Sequence, residues 1–167
     1  GDKEIFWLGQ LYAGETYSIH PVDGGIVGPV TETLNEDNSQ TTYQICGAQI
    51  AHSSEHGELL WTNGGLQTCK IIDSAANDFE NNYNYFEDRY GTIEELQNLY
   101  DSPLRIEGVI VPNINQNPWI QLLECAKYTY CATATSGAMS KKGDHMIQFD
   151  KRMSQRLTNI AKIWNES

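Results

Sequence analysis

Apolar positions in the first seventy residues come in short runs broken by turn-formers. Further along they recur at helical spacing. Ile5–Tyr12 is an apolar and aromatic run and reads as a strand. Gly24, Gly25, Gly28 and Pro29 punctuate the next stretch as turns do. Thr41–Ile50 contains Thr-Thr-Tyr-Gln-Ile-Cys, a composition suited to a pleated surface. Glu58–Thr62 and Leu66–Ile72 flank Asn63-Gly64-Gly65, which predicts a hairpin because both residue types tolerate positive φ.

The period then changes. Phe79, Tyr83, Phe86 and Tyr90 step by four, three and four, predicting one helix over Ala75–Tyr90 with an aromatic face, ended by Gly91. Thr92 and Glu95 form a capping box for a short helix through Tyr100, and Pro103 stops it. Leu104–Val111 reads as a buried strand. Asn117-Pro118 offers an N-cap and a first-turn proline for a helix over Trp119–Tyr128. Met146, Phe149, Met153, Leu157, Ile160 and Trp164 form a stripe over a final helix from about Gly143 to Asn165. No linker or repeat interrupts the chain. The expected fold is α+β in one domain over residues 1–167. A strand-rich N-terminal half carries the hairpin, and a helix-rich C-terminal half packs on it.

Composition supports a packed core, with 40% hydrophobic residues, four Trp and nine Tyr. The formal net charge of −11 argues against nucleic acid as a partner, because phosphate binding needs a basic face. The charge is uneven. Residues 1–100 carry sixteen acids and three bases, whereas residues 141–167 carry six bases and three acids. Lys151, Arg152, Arg156 and Lys162 lie off the apolar stripe of the last helix. They are the candidate contact to another protein, with an anionic membrane surface as the lesser alternative. No apolar run approaches the roughly 18 residues of a membrane span.

Four cysteines, Cys46, Cys69, Cys125 and Cys131, make an even set without a CxxC motif. Two disulfides are expected, and with them a location outside the cytosol, either periplasmic or secreted. The Gly-Asp-Lys start fits a chain whose export signal has been removed. The simplest pairing closes two short loops, Cys46–Cys69 and Cys125–Cys131.

The most specific local pattern is His52-Ser53-Ser54-Glu55-His56, an H-x-x-E-H sequence. On a helix, His52 and His56 would share a face and hold zinc, and Glu55 would act as general base, with Glu124 as third ligand. The stretch Ile-Ala-His-Ser-Ser-Glu-His resembles the motif region of pitrilysin-like peptidases over about seven residues. That resemblance implies a zinc-dependent hydrolase. Asn35, Asp37 and Ser39 alternate as in a calcium loop, but Gln40 stands where the turn glycine belongs and Cys46 where the twelfth-position Glu belongs. There is no G-x-S-x-G, S-x-x-K or P-loop. Asn165-Glu166-Ser167 is a formal glycosylation sequon.

The leading expectation is therefore an exported, non-catalytic protein that binds another protein and uses no cofactor. A component or effector of a bacterial envelope or secretion apparatus would fit. One alternative is the zinc hydrolase. The other is a carbohydrate- or ligand-binding module that exposes Phe79, Tyr83 and Phe86, with Tyr85, Tyr90 and Tyr100 nearby.

Overall fold

The computed structural model describes residues 4–16, 18, 20–34, 40–63, 66–113, 119–135 and 145–166. The candidate calcium loop, the Gly64-Gly65 pair, the Asn117-Pro118 cap, Gly143 and Ser167 of the sequon lie outside the described residues.

Two antiparallel sheets form the β part. The first has the order β5 (Leu59–Asn63), β4 (Ile50–Ser53), β1 (Gly25–Gly28), β6 (Gly108–Val111) and β9 (His145–Gln148). The second has the order β2 (Val30–Leu34), β3 (Thr41–Gly47), β8 (Tyr130–Thr135) and β7 (Ile120–Gln121). Strands β1 and β6 read Gly-Ile-Val-Gly and Gly-Val-Ile-Val and are buried along their whole length. Alternation sends Ile26 and Ile110 to one face, where they meet Ile45, Ala132 and Ala134 of the second sheet. Val27 and Val109 point to the other face, toward Leu104, Ile106 and Leu157. Gly25 has to be small, because a Cβ there would lie 2.7 Å from the Ile110 carbonyl oxygen.

The helices α2 (Ser74–Asn81), α3 (Tyr83–Tyr90) and α4 (Ile93–Tyr100) enclose a third cluster around Phe79, Phe86 and Leu96. The fold is α+β, as the pattern of periods implied. The capping box forms: the Glu95 amide donates to Thr92 Oγ1 and the Thr92 amide to Glu95 Oε2. The aromatic helix, however, is two helices, broken at Asn82 (φ −147°, ψ 55°). Phe79 and Phe86 are buried. Tyr83 is 56% exposed, so two of the three rings expected on a ligand-binding platform are core and one faces solvent.

Four other expectations change. Ile5–Tyr12 lies within helix α1 (Glu4–Tyr12). The hairpin joins β4 to β5, while residues 66–72 contribute one bridge, Gln67 to Pro103. In place of a helix over Trp119–Tyr128 there are β7 and the short turn α5 (Glu124–Lys127), with Cys125, Ala126 and Lys127 at φ of 57°, 52° and 65°. The final stripe is divided: β9 takes Met146, and α6 (Lys151–Asn165) begins after Asp150, whose Oδ1 accepts the Met153 amide.

The disulfide pairing is also corrected. Cys46 joins Cys131 and Cys69 joins Cys125. Pairing of β3 with β8 sets Cys46 directly opposite Cys131 across 85 residues of sequence, so sheet topology overrides loop length. Two disulfides belong to an oxidising compartment outside the cytosol.

Candidate functional site

Strand β4 carries His52, and the register places it opposite Trp61 of β5. The two rings lie 5.6 Å apart between centroids, tilted by 32°. His20 approaches His52 edge-on at 6.3 Å. The Val22 backbone engages His20 Nδ1, at 3.0 Å to the carbonyl and 3.2 Å to the amide, which leaves Nε2 for a ligand. Gly24 packs beside the His52 ring, with Ile50 next to it. Ile50, Asn63 and the exposed Asp23 flank the group. Trp61 is 54% exposed. The result is a shelf of one indole and two imidazoles.

The same hairpin decides the fate of the H-x-x-E-H sequence. His52 is in a strand, while Glu55 and His56 are exposed in the turn. Ser54 Oγ accepts the amides of His56 (3.2 Å) and Glu58 (3.0 Å), and Gly57 adopts φ +84°. The helical face that would have aligned His52 with His56 is not formed. Among the described residues, no three of His, Cys, Asp or Glu come together as a metal site.

Glu124, the imagined third ligand, belongs to a separate buried network. Its Oε1 accepts the hydroxyls of Tyr85 (2.7 Å) and Tyr90 (2.9 Å). Beside it, Tyr100 donates to Asp78 Oδ2 at 2.6 Å and accepts the Cys125 amide at 2.7 Å. The Ala126 amide donates to Asp78 Oδ1 at 3.0 Å. Burial raises the Asp78 carboxyl above its ordinary range, against the pull of the Tyr100 hydrogen bond and the Ala126 and Cys125 amides. Burial and the neighbouring carboxylates push the hydroxyls of Tyr90 and Tyr100 up as well. These contacts hold the left-handed turn at Cys125–Lys127, a conformation that costs roughly 1–2 kcal/mol per residue outside glycine. The network is structural: it braces the Cys69–Cys125 bridge from both sides.

Lys151, Arg152, Arg156 and Lys162 are all exposed on α6. Asn165, first residue of the sequon, donates its side-chain amide to the Asp101 carbonyl at 2.7 Å. Sequence reasoning missed His20, Trp61 and Asp78, and took Tyr100 for a platform aromatic instead of a partner of Asp78. His20 lies 32 positions from His52 in sequence, and only the β1–β4 pairing joins them. Trp61 was legible only as a strand residue.

Comparison with known proteins gives these residues a context. Residues 1–54, which include His20 and His52, match the family model described as "Mannosyltransferase putative". One alpha-1,3-mannosyltransferase of Saccharomyces cerevisiae is 49% identical over 170 residues, covering 99% of this chain and 27% of its own length. A second from the same organism is 35% identical over 166 residues, covering 99% of this chain and 29% of its own. A third is 30% identical, covering 100% of this chain and 24% of its own. These likenesses overturn the expectation of a non-catalytic bacterial binding protein, together with its periplasmic or secreted setting. Proteins that share nearly every stretch of this chain carry the names of enzymes. The chain is thus similar along almost its whole length to alpha-1,3-mannosyltransferases, and it spans about a quarter of theirs.

Proposed function

We propose that this chain is a segment of an enzyme that transfers mannose in α-1,3 linkage, acting in the oxidising lumen of the secretory route. Within it, the His20–His52–Trp61 shelf contacts the saccharide being transferred or extended. One observation carries this reading. Among the described residues, one cluster combines an exposed indole with two imidazoles; its His20 and His52 fall within residues 1–54 matched by the family model and Trp61 lies seven residues beyond, in a chain 49% identical to a named mannosyltransferase.

The chemistry suits the residues. A pyranose presents one face of C–H groups, which packs on an indole, and a rim of hydroxyls, which imidazole nitrogens can bond. Glycosyl transfer breaks the bond from the anomeric carbon to its leaving group. It forms a bond to an acceptor oxygen, whose proton passes to a base. The Trp61 ring lies beside His52 on one face of the β4–β5 pair and is half-exposed there, which leaves it open to such a ligand.

The test is transfer by the full-length protein from nucleotide-activated mannose to a mannose-ended acceptor, with the linkage read by methylation analysis. The expected product carries a new 3-substituted mannose. A product without it, or no transfer under conditions in which a Saccharomyces relative is active, removes the reading.

A further inference from the structure

Strand β5 is the edge of the five-stranded sheet. Hydrogen bonds from β4 satisfy one side, and among the described residues no strand pairs with the other. Free edges are ordinarily blunted by charge or proline. β5 reads Leu-Leu-Trp-Thr-Asn and has neither. Leu60 and Trp61 are each 54% exposed. Against this edge lies a groove of about 270 Å³, formed by Leu59–Thr62 on the strand side and by Leu157 and Ile160 of α6 on the other.

Helix α6 carries exposed positive charge one and two turns before Ile160. Helical spacing of four and three puts Arg152, Arg156, Ile160 and Ile163 along one exposed side of α6. Ile160 is 46% and Ile163 is 69% exposed. Among the described residues, no carboxylate pairs with Arg152 or Arg156, although the chain as a whole carries −11. An apolar groove beside an unpaired strand edge calls for an extended segment, which gains main-chain hydrogen bonds along its length. Two guanidinium groups on the turns of α6 before Ile160, without a carboxylate partner among the described residues, call for carboxylates.

We propose that the β5 edge receives an added strand from another part of the same polypeptide. This strand would be apolar at alternate positions and acidic where it passes Arg152 and Arg156. The proposal rests on reading the chain as a segment of a longer mannosyltransferase, since it spans only 27% of its 49%-identical relative.

Hydrogen exchange on the full-length protein and on the 167-residue chain alone tests it. In the full-length protein, the β5 amides that β4 leaves free should exchange at least tenfold more slowly than in the chain alone. Amides of β1, which check that the chain is folded, should be equally protected in both. Arg152→Glu with Arg156→Glu in the full-length protein should return β5 to fast exchange. Lys151→Glu with Lys162→Glu, on another side of α6, should not. If the chain alone fails to fold, the two double variants decide within the full-length protein. Equal β5 exchange in chain and full-length protein, or protection that survives the Arg152 and Arg156 reversal, overturns the proposal. Mannosyl transfer measured on the same preparation separates the two readings. Protection without transfer leaves the docked strand and removes the enzyme. Transfer without protection does the reverse.

Discussion

His52 and Trp61 face each other across the β4–β5 ladder, with ring centroids 5.6 Å apart. Such a cross-strand pair stabilises a sheet by roughly 0.2–1 kcal/mol. Nearly half of the indole is still covered, roughly 100 Å² at about 25 cal/mol per Å². Trp61→Ala should therefore lower stability by about 2–3 kcal/mol in urea unfolding. A much larger loss would mean that the indole is a packing element and would weaken its candidacy for ligand contact.

Tyr100 is the opposite case. Its hydroxyl both donates to Asp78 and accepts from the Cys125 amide, and its ring is buried. Tyr100→Phe keeps the ring and removes both bonds, leaving a buried amide and a buried carboxylate short of a partner. The expected cost is about 1–3 kcal/mol, read from the unfolding midpoint at constant slope. An unchanged midpoint would show that the left-handed turn stands without this contact.

Asp78 makes stability depend on pH. Burial, the largest influence, raises its folded pKa above the ordinary 3.8, and the nearby Glu124 carboxylate adds to the rise. The folded chain then holds a proton that the unfolded chain has already released. This group's contribution to stability is complete below 3.8 and is lost as pH rises through the folded value. Asp78→Asn cannot titrate there. The difference in unfolding free energy between wild type and Asp78→Asn should therefore shift against wild type as pH increases above 3.8. Titrating groups that do not interact with Asp78 cancel in that difference. A difference that is flat in pH, or rises with it, would contradict the raised carboxyl.

The two disulfides close sequence separations of 85 and 56 residues. Loop-closure entropy assigns each about 4 kcal/mol. Peptide mapping without reductant should recover Cys46 linked to Cys131 and Cys69 linked to Cys125. Replacing either pair by serine should lower stability by about 2–5 kcal/mol. Recovery of a Cys125–Cys131 peptide would contradict the β3–β8 register itself.

Much of the fold was legible from local signals. Thr92 and Glu95 announced their helix, the β-branched run near Val111 its strand, and the change of period its α+β class. The misreadings share a physical cause. Ile5–Tyr12 carries apolar residues at nearly every position apart from Gly9 and Gln10, so periodicity cannot tell its helix from a strand. Asn63-Gly64-Gly65 outranked Ser54–Glu58 as a turn, although the Ser54 hydroxyl and Gly57 close the real one. Cysteine pairing follows a strand register that spans 85 residues, and no short-loop rule can see it. The site was only half visible. His52 stood out within a motif whose chemistry needed a helix. Its actual neighbours, His20 and Trp61, arrive through sheet pairing.

The most direct measurement is mannosyl transfer by full-length His52→Ala and Trp61→Ala variants that unfold cooperatively and remain folded at the assay temperature. Each should lose at least tenfold in kcat/KM, about 1.4 kcal/mol of transition-state stabilisation. Transfer at the wild-type rate by both folded variants would contradict the assignment of the His20–His52–Trp61 shelf to the saccharide.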